Sequence, residues 1–167
     1  MRIYLVRHAE SVDRAGGVPD EFRHLSVRGR LSFRETARKA REESFRPERI
    51  FTSPLVRAVQ TAEILSEGTG YEGEVIAVPQ LAPGFTIEKM GDILDSCPGG
   101  AELAMVGHEP DLGIVMTRLL SLPKPYAVRK GAVAAIDLSG EGNRVRGTLA
   151  WLLESDRRVS DASGLFR

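Results

Sequence analysis

Ile3-Tyr4-Leu5-Val6-Arg7-His8 opens with four apolar residues and stops on two basic ones. So short an apolar run reads as a strand buried on both faces. A half-exposed strand would alternate, and a helix would need ten residues or more. The pattern recurs at Ile50-Phe51-Thr52, Val75-Ile76-Ala77-Val78 and Leu103-Ala104-Met105-Val106. Amphipathic stretches lie between these runs. Residues 26–45 predict a helix with Val27, Leu31, Ala37 and Ala40 on one face, Ser26 as its cap and Pro47 as its stop. Leu55, Val59 and Ala62 keep helical spacing, and Gly68 is expected to close that segment. Residues 86–96 predict a weaker helix. Pro110 suits a first helical position. After it, Leu112, Val115, Met116, Leu119 and Leu120 form a stripe of 3.6-residue period, broken by Pro123 and Pro125. Two more strands are expected near 132–138 and 145–153, with Ser139-Gly140-Glu141-Gly142-Asn143 as their hairpin turn.

Strand-helix alternation implies an α/β fold: a three-layer α/β/α sandwich around a mostly parallel sheet, with the last hairpin as an antiparallel C-terminal edge. The 167 residues suffice for one domain, and 42% apolar with 28% charged residues is ordinary for a globular protein. No repeat or linker divides the chain. One domain is expected over 1–154, followed by a polar tail over 155–167 in which Leu165 and Phe166 are the residues fit to dock. The lone Cys97 permits no internal disulfide, and with no basic neighbour it reads as a structural thiol. No apolar run approaches a membrane span or a signal-peptide core, so a cytoplasmic protein without a membrane partner is expected. The zero net charge argues against nucleic acid as a partner. Only four of the 23 basic residues are lysine. Arginine's planar fork matches phosphate and carboxylate, so the question is whether a few arginines converge.

In an open α/β sheet, ligands bind beyond the carboxyl ends of the strands. His8 follows the first strand and His108 the fourth. Arg7 ends the first strand, and Arg57 falls in the first turns of the helix after the second, beyond the turn at Ser53-Pro54. A lone histidine there usually caps or solvates, and a lone arginine usually spreads its stem over the surface. Three strand ends that each deliver a phosphate-compatible residue are a different matter. Gly107-His108-Glu109-Pro110 also opens a helix, whose free amides favour an anion. The chemistry that fits is phosphoryl transfer. Two guanidiniums spread the charge, one imidazole attacks phosphorus, and the other donates to a phosphoryl oxygen. His8, His24 and His108 form no local ligand pair, and His-Glu-x-x-His, P-loop, Gly-x-Ser-x-Gly and Gly-x-Gly-x-x-Gly patterns are absent. No metal and no cofactor are therefore expected.

At these residues the chain resembles the histidine phosphatase superfamily. Leu5-Val6-Arg7-His8-Ala9-Glu10 is similar to its Arg-His-Gly/Ala signature. Ser53-Pro54-Leu55-Val56-Arg57-Ala58-Val59-Gln60-Thr61 is similar to its second signature, and Val106-Gly107-His108 to its third. His24-Leu25-Ser26-Val27-Arg28-Gly29 and Lys130-Gly131-Ala132-Val133-Ala134 resemble further segments, so the likeness spans about residues 1 to 153. It implies His8 as the phosphorylated nucleophile, Arg7 and Arg57 as the phosphate clamp and His108 as the second histidine. The short chain, with little room for a cap between Leu81 and Ala101, is similar to the small phosphohistidine phosphatases of the superfamily. Many relatives place an acidic residue after the third strand. Here Pro79-Gln80-Leu81 offers glutamine, which leaves Glu10, Glu88, Glu109 or no residue as the proton donor. A phosphohistidine substrate tolerates that lack, because an imidazole can leave already protonated. The expected function is removal of phosphate from phosphohistidine in proteins, through an open, shallow groove. The alternatives are a phosphatase for small phosphate esters or nucleotides, and a phosphate-binding scaffold without turnover. Nine arginines and lysines against four glutamates between Arg23 and Arg49 mark a solvated helix or a docking face for an acidic protein.

Overall fold

The computed structural model describes residues 1–97, 99–140 and 145–167. Seven strands form one sheet: β1 (Arg2–Arg7), β2 (Arg49–Thr52), β3 (Val75–Ala77), β4 (Leu103–Gly107), β5 (Val133–Ser139), β6 (Arg146–Leu153) and β7 (Arg158–Val159). Their order is β3-β2-β4-β1-β5-β6-β7. The β3-β2-β4-β1 half is parallel, and β5, β6 and β7 extend it antiparallel. The helices are α1 (Val27–Glu42), α2 (Val56–Thr69), α3 (Ile87–Asp95) and α4 (Asp111–Leu119).

Alternation within the buried strands builds two cores. Ile3, Leu5, Leu103 and Met105 face α3 and α4, where Met90, Ile93, Leu112 and Met116 meet them. Tyr4, Val6, Ala104 and Val106 face α1 and α2, against Phe33, Ala37, Ala58 and Leu65. This is the expected three-layer sandwich, and β1 and β4 are apolar throughout because each is covered on both faces.

Several local expectations need correction. Helix α1 is capped as expected, with Ser26 Oγ accepting from Gly29 N–H at 3.0 Å. It buries Phe33, Thr36, Ala37 and Ala40, however, and leaves Val27 and Leu31 75% and 59% exposed. Ala37 faces α2, which lies very close. A Cβ on Gly68 would sit 2.6 Å from that of Ala37. Gly68 is thus an interior contact, and Gly70, at φ 71°, ends α2 in the left-handed conformation. Helix α1 stops at Glu42, well before Pro47, where Ser44 takes a positive φ of 61° and turns Phe45 into the core. Pro110 is the cap of α4 rather than its first residue, and Leu120 is only half-buried. Of the expected hairpin turn, Ser139 is the last residue of β5, paired with Arg146, Gly140 follows it at a positive φ of 83°, and residues 141–143 lie outside the described residues.

The chain also continues past Leu153 as structure. β7 pairs with β6, Val159 and Leu165 are buried, and the buried Glu154 carboxylate accepts from Tyr126 Oη at 3.0 Å and Arg157 Nε at 2.6 Å. Cys97 is half-buried against the α3 side of the core. Among the described residues, no helix is long and apolar enough to cross a membrane.

Candidate active site

Strand register places the two histidines side by side. Arg7 pairs with Gly107, Thr52 pairs with Val106, and His8 N–H donates to Gly107 O at 3.1 Å. The carboxyl ends of β1, β4 and β2 thus lie level, and the rings of His8 and His108 are 5.2 Å apart at 56°. Both residues are nearly buried, 6% and 4% exposed.

A hydrogen bond fixes the proton on His8, and hydrogen-bond accounting favours one tautomer of His108. His8 Nδ1 lies 2.7 Å from the Ala9 carbonyl, which can only accept, so Nδ1 holds the hydrogen. The Nε2 lone pair is then free to accept, and Arg57 Nε–H points at it from 3.3 Å. His108 Nε2 lies 2.7 Å from Ser53 Oγ, while its Nδ1 is buried without a partner among the described residues. Ser53 is fully buried and already accepts from Leu55 N–H. If His108 Nε2 donated, the serine hydrogen and the Nδ1 lone pair would both lack partners. With Ser53 Oγ–H donating to Nε2, only Nδ1–H remains unpaired, and this is the less costly arrangement. Burial lowers the pKa of His8 to about 3, helped by His108, Arg57 and Arg7 against the Ala9 bond. Burial and then Arg57 lower that of His108 to about 4. Both rings are neutral near pH ~7, where an unperturbed imidazole titrates at about 6.5.

The two arginines approach from opposite sides. Arg7 Nη1 donates to Val128 O at 2.8 Å, and its buried Nε has no partner among the described residues. Gly131, at φ 71°, turns so that its N–H reaches the carbonyls of both Arg7 and His8 at 3.1 Å, a conformation that other residues adopt only with strain. Arg57 is 3% exposed on the first turn of α2. Thr61, one turn on, accepts from Ala9 N–H at 3.0 Å and donates to Arg57 O at 2.7 Å, which ties that turn to the β1 end. Beyond His8, Arg57 is engaged by Asp20, whose carbonyl accepts from Nη1 at 2.7 Å and whose carboxylate accepts from Nη2 at 3.1 Å. Asp20 escaped the sequence reading because it stands in a polar loop without periodicity. Only the tertiary fold brings it over α2. The segment between Leu81 and Ala101, expected to hold little cap, supplies α3, which packs into the core.

The candidate proton donors separate. Glu10 is held by Arg28 and by Ser26 Oγ, which together lower its pKa. Glu88 is exposed on α3 and pairs with Arg118 at 3.3 Å. Burial raises the pKa of Glu109, against the Val128 N–H that its Oε1 accepts and the nearby Arg7. Gln80 lies in a 3-10 turn whose Leu81 is buried, and its Oε1 is buried without a partner among the described residues. Asp111, three residues after His108, holds the chain just beyond that turn by accepting from Gly84 and Phe85 N–H. His24 is exposed in the loop before α1, bonded to the Leu25 carbonyl. Among the described residues, no three His, Cys, Asp or Glu side chains are grouped as metal ligands.

Residues 3–82 match the model of the histidine phosphatase superfamily, branch 1. An uncharacterised protein of Picosynechococcus is 35% identical over 120 residues, covering 68% of this chain and 69% of its own. The chain belongs to the histidine phosphatase superfamily. The phosphohistidine phosphatase SixA of Escherichia coli is 25% identical over 153 residues, covering 90% of this chain and 92% of its own. A solved structure of the protein histidine phosphatase SixA complexed with tungstate shares the fold, with a TM-score of 0.79 at 23% identity over 93% of this chain and 97% of the other. As a member of this superfamily the chain is a phosphatase. His108 lies beyond the residues that the superfamily model matches, and the β1–β4 register is what sets it beside His8.

Proposed function

We propose that the chain hydrolyses phosphohistidine in proteins through a phosphorylated His8. The observation that carries this reading is the orientation of His8. Its Nδ1–H is committed to Ala9 O, and its neutral Nε2 lone pair lies beside Arg57. In the first step Nε2 attacks phosphorus, the bond from phosphorus to the substrate imidazole breaks, and that imidazole leaves with the electron pair. Arg57, Arg7 Nε–H and His108 Nδ1–H donate to the phosphoryl oxygens as charge builds on them. In the second step water attacks phosphorus, the bond to Nε2 breaks, its electron pair returns to His8, and the phosphoryl group departs as phosphate carrying the oxygen and both protons of that water. Neither step calls on a metal or cofactor. Gln80 can offer an amide N–H but no proton, and Glu10 is tied to Arg28 and Ser26. An imidazole that departs already protonated needs no acid from the enzyme, whereas an alkoxide does without a contribution of roughly 10²–10⁴-fold. The lone Cys97 suits the reducing cytoplasm as the place of action.

One observation favours a small-ester phosphatase as a second reading. Burial gives Glu109 a raised pKa one residue from His108. Measuring kcat/KM on a phosphohistidine protein, an aryl phosphate and an alkyl phosphate separates the two. The first reading expects that order of rates, unchanged by chelator, and an acid-labile, alkali-stable adduct on His8. An alkyl ester that equals phosphohistidine, with the advantage lost in Glu109→Gln, would install the second reading. Phosphate trapped on another residue, or a His8→Ala variant that stays active, would remove His8 from its role.

A further inference from the structure

The chemistry above does not call on Asp20, yet its carboxylate meets three guanidiniums. Arg57 Nη2 is 3.1 Å from Oδ2, and Arg23 Nε and Arg14 Nε are 3.0 Å and 3.5 Å from Oδ1. We propose that Asp20 is the positioning residue that aims Arg57 at the phosphoryl group. This rests on the reading of Arg57 as a phosphate ligand.

A guanidinium can offer paired N–H groups along two edges, one between Nη1 and Nη2 and one between Nε and Nη2. Asp20 occupies the first edge with its carbonyl and its carboxylate. The second edge is thereby turned toward His8 Nε2, the atom to which phosphorus bonds. Arginine has four rotatable side-chain bonds, and a guanidinium fixed along one edge only would sample several orientations. Fixed on both sides, it has one.

Asp20 is in turn held by a built support. Arg23 is buried, and its Nη1 donates to Val12 O at 3.1 Å. The loop neck is closed there by Val12 N–H on His24 O at 2.9 Å and by the Ser11–Leu25 bridge. Gly17, at φ 71°, supplies a turn that lets residues 12–24 fold back over α2. The support therefore runs from the loop neck through Arg23 and Asp20 to Arg57 and His8. It makes the loop a fixed bracket for one edge of the clamp.

A carboxylate that acts through Arg57 should lose its effect when Arg57 is gone, and a double-mutant cycle reads this directly. The measurement is tungstate binding by calorimetry on the full chain. The proteins are wild type, Asp20→Ala, Asp20→Asn, Arg57→Ala and the Asp20→Ala/Arg57→Ala pair, each with its thermal unfolding recorded. Asp20→Ala should weaken binding roughly tenfold. Asp20→Asn should recover most of that loss, because its amide oxygen can still accept from Nη2. The double variant should bind no more weakly than Arg57→Ala. Asp20→Ser makes the same test if the alanine variant does not fold. Unchanged binding in Asp20→Ala, or penalties that multiply in the double variant, would overturn the proposal. If Arg57→Ala alone binds tungstate as wild type does, the reading of Arg57 as a phosphate ligand fails, and this inference fails with it.

Discussion

At the scale of single residues, proton placement decides the chemistry. With Ser53 Oγ–H donating to Nε2, the favoured arrangement, His108 keeps its hydrogen on Nδ1. Ser53→Ala should therefore leave the ring free to exchange tautomers and lower kcat by about 10- to 100-fold, less than the roughly 10²–10³-fold seen when an oxyanion donor is deleted outright. Nitrogen-15 NMR of His108 checks the cause, since the native ring should show hydrogen on Nδ1 and the variant a mixture. A native ring protonated on Nε2 would contradict the assignment. The same burial couples the histidines to stability. In the unfolded chain each binds a proton near pH ~6.5, while in the folded chain His8 does so only at about 3 and His108 at about 4. Between those limits the unfolded state holds more protons, so stability is present above pH ~6.5 and is lost as pH falls toward the folded values. The melting temperature should drop through that window, and His108→Gln should flatten the drop. A slope unaltered by the substitution would place the titration elsewhere.

At the scale of elements, two helical glycines should respond with opposite sign. A Cβ on Gly68 in α2 would stand 2.6 Å from that of Ala37, whereas Gly91 in α3 has nothing within 4 Å. Gly68→Val should destabilise by about 1–3 kcal/mol through overpacking. Gly91→Ala should stabilise by roughly 0.5–1 kcal/mol, because the helix gains propensity without a collision. Denaturant midpoints of the two variants check this, and equal shifts would mean that α1 and α2 do not depend on Gly68 for their approach. The contact also bears on why apolar periodicity placed Ala37 and Ala40 on the buried face correctly but misplaced Val27 and Leu31. Val27 and Leu31 are larger than Ala37 and Ala40, but where α1 meets α2 the close approach takes the small Ala37, the buried Phe33 lies beside Gly131 instead, and Val27 and Leu31 are left at the surface.

At the scale of the molecule, the last thirteen residues carry weight that their composition hides. Removing 155–167 would take away β7, the buried Val159 and Leu165, and Arg157, the 2.6 Å partner of buried Glu154. A carboxylate left buried without that partner, together with the lost packing, should cost about 3–5 kcal/mol. Chemical denaturation of the truncated chain is the measurement, and a loss under about 1 kcal/mol would show an appended tail. The sequence by itself determined the layered α/β plan and three of its signatures. Buried strands such as Ile3-Tyr4-Leu5-Val6 are continuous apolar runs, and Arg7-His8, Ser53 to Thr61 and His108 are short local patterns legible without coordinates. The tertiary structure alone decided what completes the site. The pairing of Arg7 with Gly107 sets His8 beside His108 across about 100 residues of chain, and the fold of residues 12–24 lays Asp20 on Arg57. Such contacts leave no periodic trace, because hydrogen bonds between segments distant in sequence depend on strand register and loop path rather than on local spacing.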